Sequence, residues 1–423
     1  TEEFVPAMER AFGHYVTTGQ TDNAVAVADF PHSTLVQNLM KETHRRALKL
    51  VKEGSHQAAR ILSLYGYSLG AATGSDLTQS RDAFERALEI VRREGDEALE
   101  VRILSSYANI LSFHLQWEEA LPMAAEAIDR EDESNNPVDI LRALLWVSQG
   151  ATSTGEFKQG EETADKMLAR ARVTRDHYWI ARAMNAMMDA VSAQGRFDEA
   201  LAMVAEADSM GLSEPNMNAI AINALSQVGR FGDAQSLITS MGETPLFAKA
   251  YYLELGKDEA MAHALEEATA EDARQTFLSV SPTTPIFHMR VRYGLSILAN
   301  LRKNPAVAAE EYQQIISLVG DANGAYLTRS NQRVLGDLAK TSGDEPEAED
   351  HYQRSVKFCR ETGFKPELAW SMYEYADLLL TRGGDGDREK AGPMLDETLA
   401  LATDMGMKPL MEKVLSKREI LKA

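Results

Sequence analysis

Gly195-Arg196-Phe197-Asp198-Glu199-Ala200-Leu201 decides the fold. Gly ends one helix, because it alone accepts the positive φ of a helix C-cap without strain. The acidic pair opens the next helix, where the N-terminal dipole favours negative charge. The alanine lets the two helices approach closely, and the aromatic fills the space beside it. The stretch is the turn of a helical hairpin.

The same turn recurs along the chain. It reads Gly229-Arg230-Phe231-Gly232-Asp233-Ala234, Leu115-Gln116-Trp117-Glu118-Glu119-Ala120-Leu121 and Gly155-Glu156-Phe157-Lys158-Gln159-Gly160. It reappears as Gly256-Lys257-Asp258-Glu259-Ala260, Gly19-Gln20-Thr21-Asp22-Asn23-Ala24 and Gly343-Asp344-Glu345-Pro346-Glu347-Ala348. Between the turns, apolar residues fall at helical spacing, as with Ala183, Met184, Met187, Met188 and Val191 before Gly195. The anchors at 120, 160 and 200 are 40 residues apart, and later intervals vary. About nine or ten helix pairs are expected.

This pattern resembles the tetratricopeptide (TPR) repeat over nearly the whole chain. The resemblance implies an all-α fold: an α-solenoid, a TPR-like right-handed superhelix of antiparallel helix pairs spanning residues 1–423. Two places interrupt the pattern. A bend is expected at Met241-Gly242-Glu243-Thr244-Pro245, and the Pro-rich stretch 279–285 is the best linker candidate.

The last 60 residues resemble a narrower group. They include Gly363-Phe364-Lys365-Pro366-Glu367-Leu368-Ala369-Trp370, Tyr375-Ala376-Asp377-Leu378-Leu379 and Gly406-Met407-Lys408-Pro409-Leu410. Such stretches are similar to the TPR sensor arm of bacterial STAND-type signalling NTPases, many of them fused to nucleotide cyclase or LuxR-type helix-turn-helix domains. The resemblance implies that this chain is the sensor arm alone. It carries no Walker A pattern, and Gly383-Gly384-Asp385-Gly386-Asp387 has acidic residues where a phosphate loop needs Lys.

Composition narrows the function. Charged residues number 44 basic and 64 acidic, for a net charge of −20, so direct nucleic-acid or membrane binding by the chain as a whole is disfavoured. No run of 18 apolar residues is present. The single cysteine, Cys359, excludes an internal disulfide and fits a cytoplasmic location. It reads as a buried structural thiol. The nine histidines show no metal spacing, and no cofactor is expected. Carboxylate pairs such as Glu118/Glu119 lie on solvated helices, without the burial that acid–base catalysis requires.

One register stands out. Arg102, Arg142 and Arg182 are 40 residues apart, each followed seven residues later by a polar side chain: Asn109, Gln149 and Asp189. In TPR arrays the first helix of each pair lines the concave face. That assigns Arg102, Asn109, Arg142, Gln149, Arg182, Asn185, Asp189, Asn223, Trp370 and Tyr373 to a groove. Arginine's planar fork suits carboxylates and phosphates. The competing reading is that each Arg pairs with neighbouring acids, as exposed pairs worth about 0–1 kcal/mol. Trp117, Trp146, Trp179 and the Met184–Met187–Met188 cluster read as core.

The function expected is a non-catalytic binding module. Its partner would be a protein, a peptide or a small anionic ligand in the concave groove. The foremost reading is the regulatory arm of a bacterial multidomain signalling or transcription-regulating protein. The alternative is a free-standing scaffold clamping a peptide, and an enzyme with an interhelical site is a third. Oligomeric state is not legible.

Overall fold

The computed structural model describes residues 3–30, 38–71, 77–132, 135–212, 215–240, 284–320, 322–326 and 328–422, with Ala250, Tyr252 and Glu254. The bend at 241–245, the repeat at 256–260 and most of the 279–285 linker lie outside them. Among the described residues are 20 α-helices and one two-stranded hairpin, so the chain is an all-α solenoid of helix pairs.

The chain divides into two units, Thr1–Val147 with Ser281–Phe287, and Ser148–Val280 with His288–Ala423. The first holds α1 (Phe4–Thr17), α2 (Thr21–Ala28), α3 (Lys41–Ala47), α4 (His56–Gly70), α5 (Leu77–Glu94), α6 (Glu97–Phe113) and α7 (Trp117–Asp129). It also holds the first part of α8 (Pro137–Thr154). Local chemistry sets the helix starts: Ser55 accepts from the Ala58 N–H, and Asp96 from the Leu99 N–H. Asp96 also meets His56 at 2.6 Å, tying α6 to the start of α4. Phe84 stacks on Tyr107 at 4.7 Å, joining α5 to α6.

The second unit continues with α9 (Phe157–Thr174), α10 (His177–Ala193), α11 (Phe197–Ser209), α12 (Pro215–Gln227) and α13 (Phe231–Ser240). After them come α14 (Pro285–Leu301) and α15 (Pro305–Val319), then the hairpin β1 (Ala325–Tyr326) and β2 (Arg329–Ser330). The last helices are α16 (Asn331–Ser342), α17 (Glu345–Thr362), α18 (Lys365–Arg382), α19 (Asp387–Asp404) and α20 (Lys408–Lys422). The first three residues of α14 belong to the first unit.

The repeat alanines do what their spacing predicts. Ala24, Ala120, Ala200, Ala234, Ala308, Ala348 and Ala391 are all buried. Where the anchor is Gly160, its carbonyl accepts from Ser148 Oγ at 2.7 Å, the contact that closes α8 onto α9. Gly336 has the same use: a Cβ there would stand 2.8 Å from the Tyr352 ring. Trp117 departs from expectation. It is half-buried rather than core, while Phe157 and Phe197 at the same turn position are buried. Its turn also lacks the glycine, so Leu115 takes a φ of 60°.

Within the second unit the array folds back on itself. α18 touches α10, and α20 touches α12. Phe157 meets Phe364 at 4.8 Å, and one apolar cluster joins Phe157 and Ala193 to Phe358, Leu368 and Met372. A second cluster joins Phe197 and Ala224 to Trp370, Tyr373, Met405 and Leu410. The turns interlock as well: a Cβ on Gly155 would lie 2.5 Å from Thr362. These first helices therefore spend their inner faces on one another.

Candidate ligand-binding face

The arginine row falls in both units, with Arg102 and Arg142 in the first and Arg182 in the second. In the first unit it gains a rung that spacing alone had not revealed. Arg60, 42 residues before Arg102, holds the same place on α4. Tyr67, seven residues on, donates to Asn109 Oδ1 at 3.4 Å, so the polar position seven residues after the Arg is matched too. The interval of 42 and the absence of the glycine-aromatic-acid turn ahead of α5 hid this rung.

Two of these arginines have acidic partners. Arg60 meets Asp29 at 2.5 Å, and Arg142 meets Asp139 at 2.9 Å. Arg142 also reaches Ser105 and Ser106, each at 3.3 Å. Arg102 differs. Half-buried on α6, its guanidinium forms no hydrogen bond or ion pair among the described residues. Burial pushes its pKa down from the usual arginine value, Asp139 and Asp29 oppose that, and Arg60 and Arg142 add repulsion. It is still a cation at neutral pH. Three cations thus face two carboxylates, and Arg102 is the surplus.

Two further donors on this face lack acceptors among the described residues. The Asn109 amide Nδ2 and the Trp146 indole Nε1 are both buried without a hydrogen-bond partner. Trp146 follows Arg142 by one turn and packs edge-on against Phe113 at 5.4 Å, one turn beyond Asn109. The packing reading of Trp146 therefore leaves its N–H unused. Arg102, Asn109 and Trp146 present donors only, along a strip two turns long. A buried polar group without a partner costs about 1–3 kcal/mol, so an acceptor-rich ligand would gain that much per group.

A cleft of about 810 Å³ also exists in the first unit, between α4 and α5. It shares no residue with the arginine row. Its wall residues Arg86 and Asp82 already pair at 3.3 Å, which makes it a weaker candidate.

In the second unit the groove residues have other neighbours. Gln149 and Arg182 are half-buried. Asn185 is buried on α10, and Trp179, Met184, Met187 and Met188 are core as their spacing indicates. Asn223 donates to Thr328 Oγ1 at 2.6 Å. Trp370 and Tyr373 are buried, and Trp370 donates to Gln227 Oε1 at 2.9 Å. Asp189 acts on Tyr326, whose hydroxyl burial pushes up in pKa and the Arg290 guanidinium holds back. This inner face is occupied by the chain's own side chains.

It is also heavily charged. Arg333 grips Glu367 through two hydrogen bonds of 2.7 and 2.8 Å, both residues being buried. Arg333 also meets Asp337 at 3.2 Å, and Tyr352 donates to Asp337 at 2.8 Å. Lys340 bonds Glu374 at 3.0 Å and Asp377 at 2.6 Å, and Lys417 pairs with Asp377. Cys359 is fully buried, as its sequence context predicts, and burial pushes its thiol up to about 12. At the glycine-rich turn, Asp387 accepts from Arg382 and from the Gly384 N–H, which hold its carboxyl at about 2.

Among the described residues no three His, Cys, Asp or Glu side chains cluster as metal ligands. No helix there is long and apolar enough to cross a membrane.

No family model matches the chain, and no curated protein does. Two solved structures align with it over most of its length. The crystal structure of the APC/C hetero-tetramer Cut9-Hcn1 is 13% identical, aligned over 97% of this chain and 96% of the other, with a TM-score of 0.33. A circular tandem repeat protein with novel repeat topology and enhanced subunit contact surfaces is 15% identical, over 99% and 88% of the two chains, at 0.16. Both likenesses are distant.

Proposed function

We propose that this chain is a non-catalytic binding module, and that the inner face of its first unit takes an acidic, extended segment of a protein partner. The observation that carries this reading is the surplus cation. The Arg102 guanidinium is half-buried, with Arg60 and Arg142 beside it as well as Asp139 and Asp29, and it has no hydrogen-bond acceptor among the described residues. The unpartnered donors of Asn109 and Trp146 beside it support a ligand rich in carboxylates and carbonyls.

The test uses a fluorescein-labelled Asp-Glu-Asp-Glu peptide in fluorescence anisotropy. Saturable binding is expected, weakening as salt rises. Arg102→Gln should weaken it about tenfold, which corresponds to about 1.4 kcal/mol. Arg196→Gln, at a turn of the second unit and already paired with Glu161 and Glu199, should leave it unchanged. Equal affinity for the Arg102 variant and the parent would sink the reading.

The finer reading is a regulatory arm of a bacterial signalling protein, where binding shifts a conformational equilibrium in attached domains. Its support is the sequence resemblance of residues 363–415. The protein isolated from its native cells should then carry an NTPase or effector domain on the same polypeptide. A native polypeptide consisting of these residues alone would favour the free-standing scaffold.

A further inference from the structure

The turns of this array are short; two residues, Arg175 and Asp176, join α9 to α10. Eleven residues, 320–330, join α15 to α16, and they carry the hairpin. Its pairing is minimal, with Ala325 opposite Ser330 and Tyr326 opposite Arg329. A ribbon of this size has little stability of its own. Its shape is imposed by the surface it lies on, the inner face of the second unit.

The contacts are those of a bound segment. Asn223 of α12 donates to the Thr328 hydroxyl at 2.6 Å. Thr328 sits at the tip with a φ of 61°, a conformation that β-branched residues rarely adopt. Arg290 of α14 donates to the Tyr326 hydroxyl at 3.1 Å, and Tyr293 meets the Tyr326 ring edge-on at 5.7 Å. The Ser330 N–H donates to Glu367 of α18 at 2.9 Å, and Arg329 pairs with Glu254. Helices far apart in sequence give the hairpin polar contacts, Ser355 of α17 among them at 2.9 Å from the Ser330 hydroxyl, as a repeat array does for a bound chain.

We propose that this face is a binding site for a turn segment, and that the strands β1 and β2 with Thr328 are its resident ligand. The partner it fits is another protein's exposed turn carrying a Tyr, a hydroxyl residue two positions later and an Arg next to that. Such a turn would displace the hairpin and take over Arg290, Asn223 and Glu254. The site is separate from the arginine row of the first unit and stands or falls independently of it.

Two experiments test it. In the first, residues 322–329 are replaced by Gly-Asn-Gly, and a labelled peptide with the sequence of residues 320–332 is added in trans. The excised chain should keep its helical circular dichroism and bind the peptide saturably. The intact chain should bind at least tenfold more weakly, and so should an excised chain carrying Asn223→Ala. A helical excised chain that ignores the peptide overturns the proposal. The second, hydrogen exchange on the intact chain, decides the matter whether or not excision is tolerated. The Ser330 and Asn331 amides should exchange at least tenfold faster than those of Leu335 and Leu338, and Asn223→Ala should accelerate the first pair alone. Exchange of all four at one rate would make the hairpin a permanent part of the core and overturn the proposal.

Discussion

Trp370 donates its indole N–H to the side-chain oxygen of Gln227 at 2.9 Å, across 143 residues of chain. Both side chains are buried, so neither finds water when the other is removed. This bond pins α18 to α12 where the array of the second unit folds back. Trp370→Phe should therefore cost about 1–3 kcal/mol, most of it from the stranded Gln227 oxygen. Adding Gln227→Leu should recover at least half of the loss. Urea titration of both variants checks this; a double variant no better than the single one means that the indole N–H is not what matters.

The Arg333–Glu367 pair makes a different demand. Both ions are out of water, so their attraction mostly offsets desolvation, and removing one leaves a bare charge. Arg333→Met should cost about 3–5 kcal/mol. Combining it with Glu367→Gln, which keeps an acceptor for the Ser330 N–H, should restore at least half. Thermal melts of the three proteins give the answer, and additive losses would show that the two side chains are not coupled.

Asp337 sets a pH dependence. Burial raises its carboxyl from 3.8 to about 7, helped by Glu374 and Glu254 and opposed by Arg333 and the Tyr352 hydroxyl. Unfolded, it ionises near its ordinary value. Between pH 4 and 7 the folded chain therefore keeps a proton that the unfolded chain releases. The contribution of this group must fall as pH rises through that window, by at most about 1.4 kcal/mol per unit. Asp337→Asn removes the effect, so the variant should gain on the parent between pH 5 and pH 8 by at least about 1 kcal/mol. Urea midpoints at the two values measure it; a constant difference between the proteins contradicts the assignment.

Leu115 offers a stabilising change. It occupies the slot that glycine holds at Gly195, Gly229 and Gly343, at a φ of 60°. The left-handed region costs a non-glycine residue about 1–2 kcal/mol, part of which glycine's larger unfolded entropy takes back. Leu115→Gly should raise stability by about 0.5–1 kcal/mol with an unchanged denaturant slope. A lower urea midpoint would show that the half-buried leucine side chain outweighs the backbone.

What was legible in the sequence is what neighbouring residues determine. Gly195, Phe197 and Ala200 describe a turn, a filler and a close approach within one hairpin, and their burial follows. Arg102 and Arg142 share a face because their spacing matches the repeat. Arg60 escaped because its interval is 42 and its repeat lacks the turn signature. The fold-back escaped for a deeper reason. Nothing local to Trp370 encodes Gln227, and a first helix with an apolar inner stripe looks the same whether that stripe faces a groove or another helix. The hairpin was unreadable too, since two-residue strands carry no period.

The fold-back also gives the second unit a schedule. Gln227 leaves the ribosome well before Trp370, and at about 5–20 residues per second the wait is roughly 7–30 s. For that interval the inner faces of α10 and α12 are made but uncovered, with Ala193 and Ala224 still lacking the helices that will bury them. Synthesis therefore presents nascent-chain chaperones with a timed apolar surface, one that closes when α18 and α20 arrive.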